Sequence, residues 1–160
     1  MTKEETCAFL KEKGIEFEAV EHKAVFNMSE IDSVELPHLD WEAKNLFIRD
    51  DKKSSYYLIS VKGDKRVDLK DFRSKHGLRR LSFASPEELF EIMKLTPGSV
   101  TPLGLLEDSE CRVKFFLDAE FEDGMIGIHP NDNTATVYLK AEDVMRIIRE
   151  HGNEAEMTEI

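Results

Sequence analysis

The spacing of apolar and polar positions predicts a chain of alternating helices and strands of uneven length. Thr2 and Glu5 stand at the spacing of a capping box, Cys7 and Leu10 share a helical face, and Gly14 is a helix stop, so the chain opens on a helix. Residues 16–21 read as a strand. Ser29 is placed to cap a short helix over 29–36, and Pro37-His38-Leu39-Asp40 reads as a loop. Segments 45–49 and 56–61 are rich in aromatic and branched residues and are separated by the polar run from Asp50 to Ser55. They predict a strand pair too evenly apolar to face water.

Further on, Asp68 to His76 is expected to be helical and to end at Gly77, with a short strand over Leu81-Ser82-Phe83-Ala84. Ser85-Pro86-Glu87-Glu88 combines a cap, a proline at the first helical position and a capping-box glutamate, the strongest helix start in the sequence. Between Leu95 and Leu106 the chain carries Pro97, Gly98, Pro102 and Gly104 among Val100, Leu103, Leu105 and Leu106. No regular element tolerates that spacing, and the apolar residues imply an ordered, partly buried loop. Strands are expected over 112–117, 125–129 and 134–139, the last two joined by the turn-forming Pro130-Asn131-Asp132-Asn133. Val144, Ile147 and Ile148 form the stripe of a closing helix that stops at Gly152, and residues 153–160 are expected to fray. Strands drawn from distant parts of the chain fit an α+β domain with a largely antiparallel or mixed sheet better than a doubly wound parallel one.

At 160 residues and 41% apolar composition, one domain with one core is expected. No stretch approaches the roughly 18 apolar residues of a membrane span, and the charged start Met1-Thr2-Lys3-Glu4-Glu5 is unlike a secretory signal. A cytoplasmic protein with no membrane partner is therefore expected. Cys7 and Cys111 have no CxxC spacing and read as buried thiols rather than a disulfide or zinc knuckle. The absence of GxGxxG, GxSxG, HExxH and closely spaced histidines argues against a nucleotide cofactor, a serine elbow or a catalytic metal, so no cofactor is expected.

A net charge of −11 argues against indiscriminate nucleic-acid binding, but its distribution is uneven. Lys62, Lys65, Arg66, Lys70, Arg73, Lys75, Arg79 and Arg80 face only three acids within 62–80, a local +5 against −16 on the remainder. Such a segment either steers one polyanion end toward one face or is a solvated hairpin and helix. The residues with most chemistry lie in three other places: Lys44-Asn45, Gly98 to Pro102, and His129-Pro130-Asn131. A loop with Gly98, Ser99, Val100, Thr101 and Pro102 offers backbone groups in one fixed shape, suited to an oxyanion or substrate cradle. Lys44 could hold its ammonium at the floor of that cradle or lie on the surface with its head in water. His129 is either a hydrogen-bonded strand-end histidine or a site residue, and Asn45 alone reads as a strand-edge amide. From these residues the reaction stays open.

Lys44-Asn45-Leu46-Phe47-Ile48-Arg49-Asp50, Gly98-Ser99-Val100-Thr101-Pro102-Leu103-Gly104-Leu105-Leu106 and His129-Pro130-Asn131-Asp132-Asn133-Thr134-Ala135-Thr136-Val137 resemble, in this order and separation, the YbaK/prolyl-tRNA synthetase-associated editing domain family. Within it they are most similar to the freestanding alanyl-tRNA(Pro) deacylases, the ProX branch. The resemblance extends to the opening helix and the helix beginning Ala141-Glu142-Asp143-Val144. It implies a mixed, largely antiparallel sheet partly closed into a barrel with flanking helices, and a pocket that receives the aminoacyl end of tRNA(Pro), with prolyl-tRNA synthetase a further partner. It implies an ester hydrolase assisted by the substrate's own ribose hydroxyl, with neither metal nor covalent nucleophile. By the same resemblance Lys44 anchors a phosphate or the ester region, Asn45 orients the aminoacyl group or water, Gly98 through Pro102 bind the substrate's amino group and carbonyl, His129 lines the site and Met28 sizes the pocket. Lys65, Arg66, Arg73, Arg79 and Arg80 are the candidate tRNA contacts from the basic segment. Asn45, Leu105 and His129-Pro130 favour the alanine branch over its sister, the cysteinyl-tRNA(Pro) deacylases. A non-catalytic tRNA-end binding or interaction module remains the alternative of a different class.

Overall fold

The computed structural model describes residues 1–24 and 37–160. Helix α1 (Lys3–Glu12) starts at the Thr2–Glu5 capping box, both of whose hydrogen bonds are present. Strand β1 (Phe17–Glu21) follows. After the undescribed segment, a 3-10 turn over Leu39–Trp41 leads into β2 (Ala43–Asp50), which pairs antiparallel with β3 (Tyr56–Lys62). Helix α2 (Leu69–His76) is capped by Asp68 and ends at Gly77. Strand β4 (Leu81–Phe83) runs into α3 (Pro86–Met93), where Ser85 and Glu88 form the expected capping box. The stretch from Leu95 is buried at Leu95, Ser99 and Thr101–Leu105, and its second half is a 3-10 helix over Pro102–Glu107. Then come β5 (Val113–Asp118), β6 (Met125–Ile128), β7 (Ala135–Lys140), α4 (Ala141–His151) and β8 (Ala155–Thr158).

The described strands make two sheets. One is β1-β7-β6, antiparallel throughout; the other is mixed, in the order β4-β2-β3-β5-β8. In the second, β2 is antiparallel to β3 and β4, while β3, β5 and β8 run parallel. Phe47, Leu58, Phe115 and Leu117 on one face of the mixed sheet pack with Val137, Leu139, Ile126 and Ile128 and with α1, α3 and α4 in the main core. Ile48, Tyr57, Ile59, Val61 and Phe116 on its other face pack against Phe72 of α2. Strand β3 is therefore covered on both sides, which is why Tyr56 to Val61 carries so few polar residues. Each such aromatic or branched side chain taken fully out of water contributes roughly 1.5–3 kcal/mol before the ordering cost.

Three expectations are corrected. The sheets do not close into a barrel: among the described residues, an isolated parallel bridge between Glu42 and Gly127 is what links their ladders. Residues 153–160 do not fray, because β8 adds in parallel to the edge of β5 and the buried Asn153 amide donates to Asp108 Oδ2 at 2.8 Å and to the Val113 carbonyl at 2.9 Å. Those bonds tie the residue that follows α4 to the start of β5 and to Asp108. Cys7 and Cys111 are free and half-buried rather than fully enclosed. No described helix is long and apolar enough to cross a membrane. The helix expected over 29–36 and the side chain of Met28 lie outside the described residues.

Candidate functional site

The fold brings Asn45, the 98–102 loop and His129 to one place. Asn45 sits near the start of β2, and its Nδ2 donates to the Val100 carbonyl at 3.2 Å while its Oδ1 accepts from the hydroxyl of Ser60, its cross-strand partner on β3. The Ser60 side chain has no exposure. The amide is thus held at both ends, and its orientation follows from its partners. One residue along the loop, the buried Thr101 hydroxyl donates to the His129 carbonyl at 2.7 Å and accepts from the Leu103 N–H at 3.3 Å. Two side chains therefore stitch the loop to two different sheets. Gly98 has φ +94°, a left-handed value that side chains disfavour, and the Ser99 N–H closes a turn onto the Thr96 carbonyl at 3.1 Å.

His129 follows β6, and its Nδ1 lies 2.9 Å from the Ala135 carbonyl. A carbonyl can only accept, so Nδ1 carries the proton and Nε2 of the neutral ring has a free lone pair. Burial disfavours the imidazolium and pushes the pKa below the ordinary histidine value, an effect the Ala135 hydrogen bond only partly opposes. The His22 ring lies 6.3 Å away, its Nε2 2.9 Å from the Thr136 hydroxyl and its Nδ1 2.8 Å from the Lys23 carbonyl.

Lys44 departs from the expected arrangement. Successive residues on a strand face opposite sides, so Asn45 shares its side with Phe47 in the main core while Lys44 shares the other with Leu46 and Ile48. Its ammonium donates to the Lys65 carbonyl on that side, not beneath the 98–102 loop. Extended strand geometry separates the amide and the ammonium even though they are consecutive in sequence.

The basic segment is also divided by its contacts. Lys65 bridges the fully buried Asp118 at 2.6 Å and Glu120 at 2.7 Å. Burial opposes its charge, but the two carboxylates outweigh that and raise its pKa. Arg79 makes a two-point pair with Asp51 at 2.7 and 3.1 Å, and Arg73 Nε donates to the Leu78 carbonyl at 3.3 Å. Arg66 and Arg80 are exposed and make no ion pair among the described residues. Lys65 and Arg79 are thus engaged within the protein, leaving Arg66 and Arg80 as the freer cations.

The family model for the aminoacyl-tRNA editing domain matches residues 22–147. The chain belongs to the aminoacyl-tRNA editing domain family. It is 37% identical over 152 residues to the prolyl-tRNA editing protein ProX of Acetoanaerobium sticklandii, covering 94% of this chain and 93% of that one. It is 34% identical to the prolyl-tRNA synthetase associated domain-containing protein 1 of Mus musculus, over 88% of this chain and 86% of that one. A crystal structure described as that of a candidate trans-editing enzyme for prolyl tRNA synthetase superposes with a TM-score of 0.70 at 19% identity, covering 98% of this chain and 96% of that one. At that identity the superposition speaks for the fold.

In this editing domain three residues of the site region escape a reading of the sequence: Ser60, His22 and Glu42. Ser60 leaves a trace, as the lone hydroxyl within Tyr-Tyr-Leu-Ile-Ser-Val that is not an aromatic one. Glu42 leaves none, because a glutamate before Ala-Lys-Asn looks solvated. Its side chain is instead buried, 5% exposed, and accepts from the Tyr138 hydroxyl at 2.6 Å. Among the described residues no group of three metal-ligating side chains comes together.

Proposed function

We propose that this editing domain is a trans-acting hydrolase that removes alanine from mischarged tRNA(Pro). A synthetic site large enough for proline cannot strongly reject alanine, since the missing contacts are worth only ~1–3 kcal/mol. A second site that admits the methyl side chain and excludes the proline ring corrects the error. The names of the relatives, one a prolyl-tRNA editing protein and another associated with prolyl-tRNA synthetase, support the same tRNA and the synthetase as partners.

The observation that carries the reading is the stitched loop. Asn45 and Thr101 fix the backbone of residues 100–101 against both sheets, so its polar groups stand ready before substrate arrives. In this mechanism the terminal adenosine's ester carbonyl lies against the N–H groups of Val100 and Thr101, which stabilise charge as water adds to the carbonyl carbon, the Ser99 N–H being held by the Thr96 carbonyl. Water attack forms the tetrahedral intermediate, the bond between the carbonyl carbon and the ribose oxygen then breaks to release alanine as its carboxylate, and the departing ribose oxygen takes the proton given up by the water and becomes a hydroxyl. The neutral Nε2 of His129 accepts a hydrogen bond from the water or the neighbouring ribose hydroxyl. Lys44, on the other side of β2, pairs with a phosphate of the acceptor end rather than with the reacting ester. Pro102 stiffens the cradle, Ser99 and Val100 line it, and Met28 sizes it.

The test is hydrolysis of alanyl-, cysteinyl- and prolyl-tRNA(Pro) by wild-type protein and by Lys44→Ala and Met28→Ala. The expected result is preference for the alanyl ester, weaker apparent binding of tRNA in Lys44→Ala, and wider acceptance of bulkier esters in Met28→Ala. Preference for the cysteinyl ester would move the protein to the sister specificity, and no hydrolysis of any of the three would leave a binding module.

A further inference from the structure

The two sheets meet at Glu42. Its carboxylate accepts from Tyr138 at 2.6 Å, its carbonyl accepts from the Gly63 N–H at 3.0 Å, and its backbone bridges Gly127. Tyr138 is fully buried, and the contact is close enough to forbid a side chain at Gly127. A Cβ there would stand 2.7 Å from the Tyr138 ring and 3.2 Å from Glu42 Oε1. Glu42 is three residues before Asn45 on one side of this junction, and Gly127 is two residues before His129 on the other. The same short span thus connects the residues that the site region draws from different sheets.

A buried carboxylate is a costly way to join two sheets. Taking a carboxyl group out of water is costly, and well-packed apolar residues of similar volume often hold such a position as well or better. What the carboxyl group adds is direction: a 2.6 Å hydrogen bond from the Tyr138 hydroxyl holds one geometry, where apolar packing would allow sliding. We propose that Glu42, through Tyr138 and Gly127, is a positioning residue of the editing site that sets Asn45 against His129. It touches neither substrate nor water. The proposal rests on the deacylase reading above and names a part of it that sequence similarity does not.

The experiment compares wild type, Glu42→Ala, Glu42→Gln and Tyr138→Phe in single- and multiple-turnover hydrolysis of alanyl-tRNA(Pro), at a temperature where circular dichroism shows each variant fully folded. Loss of positioning lowers kcat by tenfold or more in Glu42→Ala, changes KM by less than threefold, and shifts the imidazole resonances of His129. Glu42→Gln, whose amide oxygen still accepts from Tyr138, recovers at least a tenth of wild-type kcat, and Tyr138→Phe reproduces the loss even where Glu42→Ala is too unstable to assay. Folded Glu42→Ala or Tyr138→Phe with wild-type kcat and unmoved His129 resonances would overturn the proposal, as would Glu42→Gln no better than Glu42→Ala. Absence of hydrolysis by the wild type would instead overturn the deacylase reading, and the His129 resonances of the variants would then decide the structural claim by themselves.

Discussion

Glu88 offers the sharpest check of how the site loop is anchored. Besides closing the α3 capping box with Ser85, its carboxylate takes Arg49 Nε at 3.1 Å and the Tyr56 hydroxyl at 2.7 Å, joining the helix that feeds the 98–102 loop to β2 and β3. Burial pushes the carboxyl up, but the hydrogen bonds from Tyr56, Ser85 and Arg49 outweigh it and hold it at about 2 against an ordinary 4.5; Tyr56, buried beside that charge, is pushed up to about 12. At ~1.4 kcal/mol per tenfold in proton affinity, this is worth about 3 kcal/mol, with little loss to solvent because the Glu88 side chain is only 13% exposed. The folded pKa is the lower one, so the contribution is complete above about 4.5 and disappears as the pH falls through about 2. Glu88→Gln should therefore lose about 3 kcal/mol in urea unfolding at pH 7, followed by circular dichroism, and the gap to wild type should narrow between pH 4.5 and pH 2. An unchanged urea midpoint at pH 7, or a gap independent of pH, would refute the assignment.

Other expectations follow from the same contacts. Thr101→Val keeps the shape of the side chain and removes its bond to the His129 carbonyl; a stability loss of about 1 kcal/mol with a fall in kcat of tenfold or so is expected, and wild-type kcat would free the loop from His129. The neutral form of His129 is favoured by burial, so hydrolysis should persist below the ordinary histidine midpoint of 6.5 and fall only at more acid pH; a midpoint above 6.5 would contradict this. Charge reversal at Arg66 and Arg80 should weaken tRNA binding and flatten its salt dependence, whereas reversal at Arg79, paired with Asp51, should do so less; equal salt slopes for all three and the wild type would remove this face from docking.

Local signals in the sequence were strong where a few neighbouring side chains decide the backbone. The capping boxes at Thr2–Glu5 and Ser85–Glu88, the helix stop at Gly77 and the 130–133 turn all form as their residue types dictate. Long-range pairing was much less legible. Strand β8 has four residues and gains its place from β5 and from Asn153, forty and more positions away from their partners. That the two ladders do not close into a barrel depends on strand lengths and twist that no short motif encodes. At the site, Asn45 and His129 could be singled out by residue type, but the separation of Lys44 from Asn45 follows from strand alternation once the register of β2 is known. Glu42 was illegible because its partners, Gly127 and Tyr138, come from the distant part of the chain.

The central claim is that a fixed backbone cradle in this editing domain hydrolyses the alanyl ester and spares the prolyl one. The direct measurement is the rate of release of alanine and of proline from the same tRNA(Pro), charged separately and incubated with equal amounts of protein. The account predicts rapid loss of alanine, prolyl ester decaying at its uncatalysed rate, and at least a tenfold slower alanine release in Asn45→Ala. Equal rates for the two esters, or full activity in folded Asn45→Ala, would contradict it.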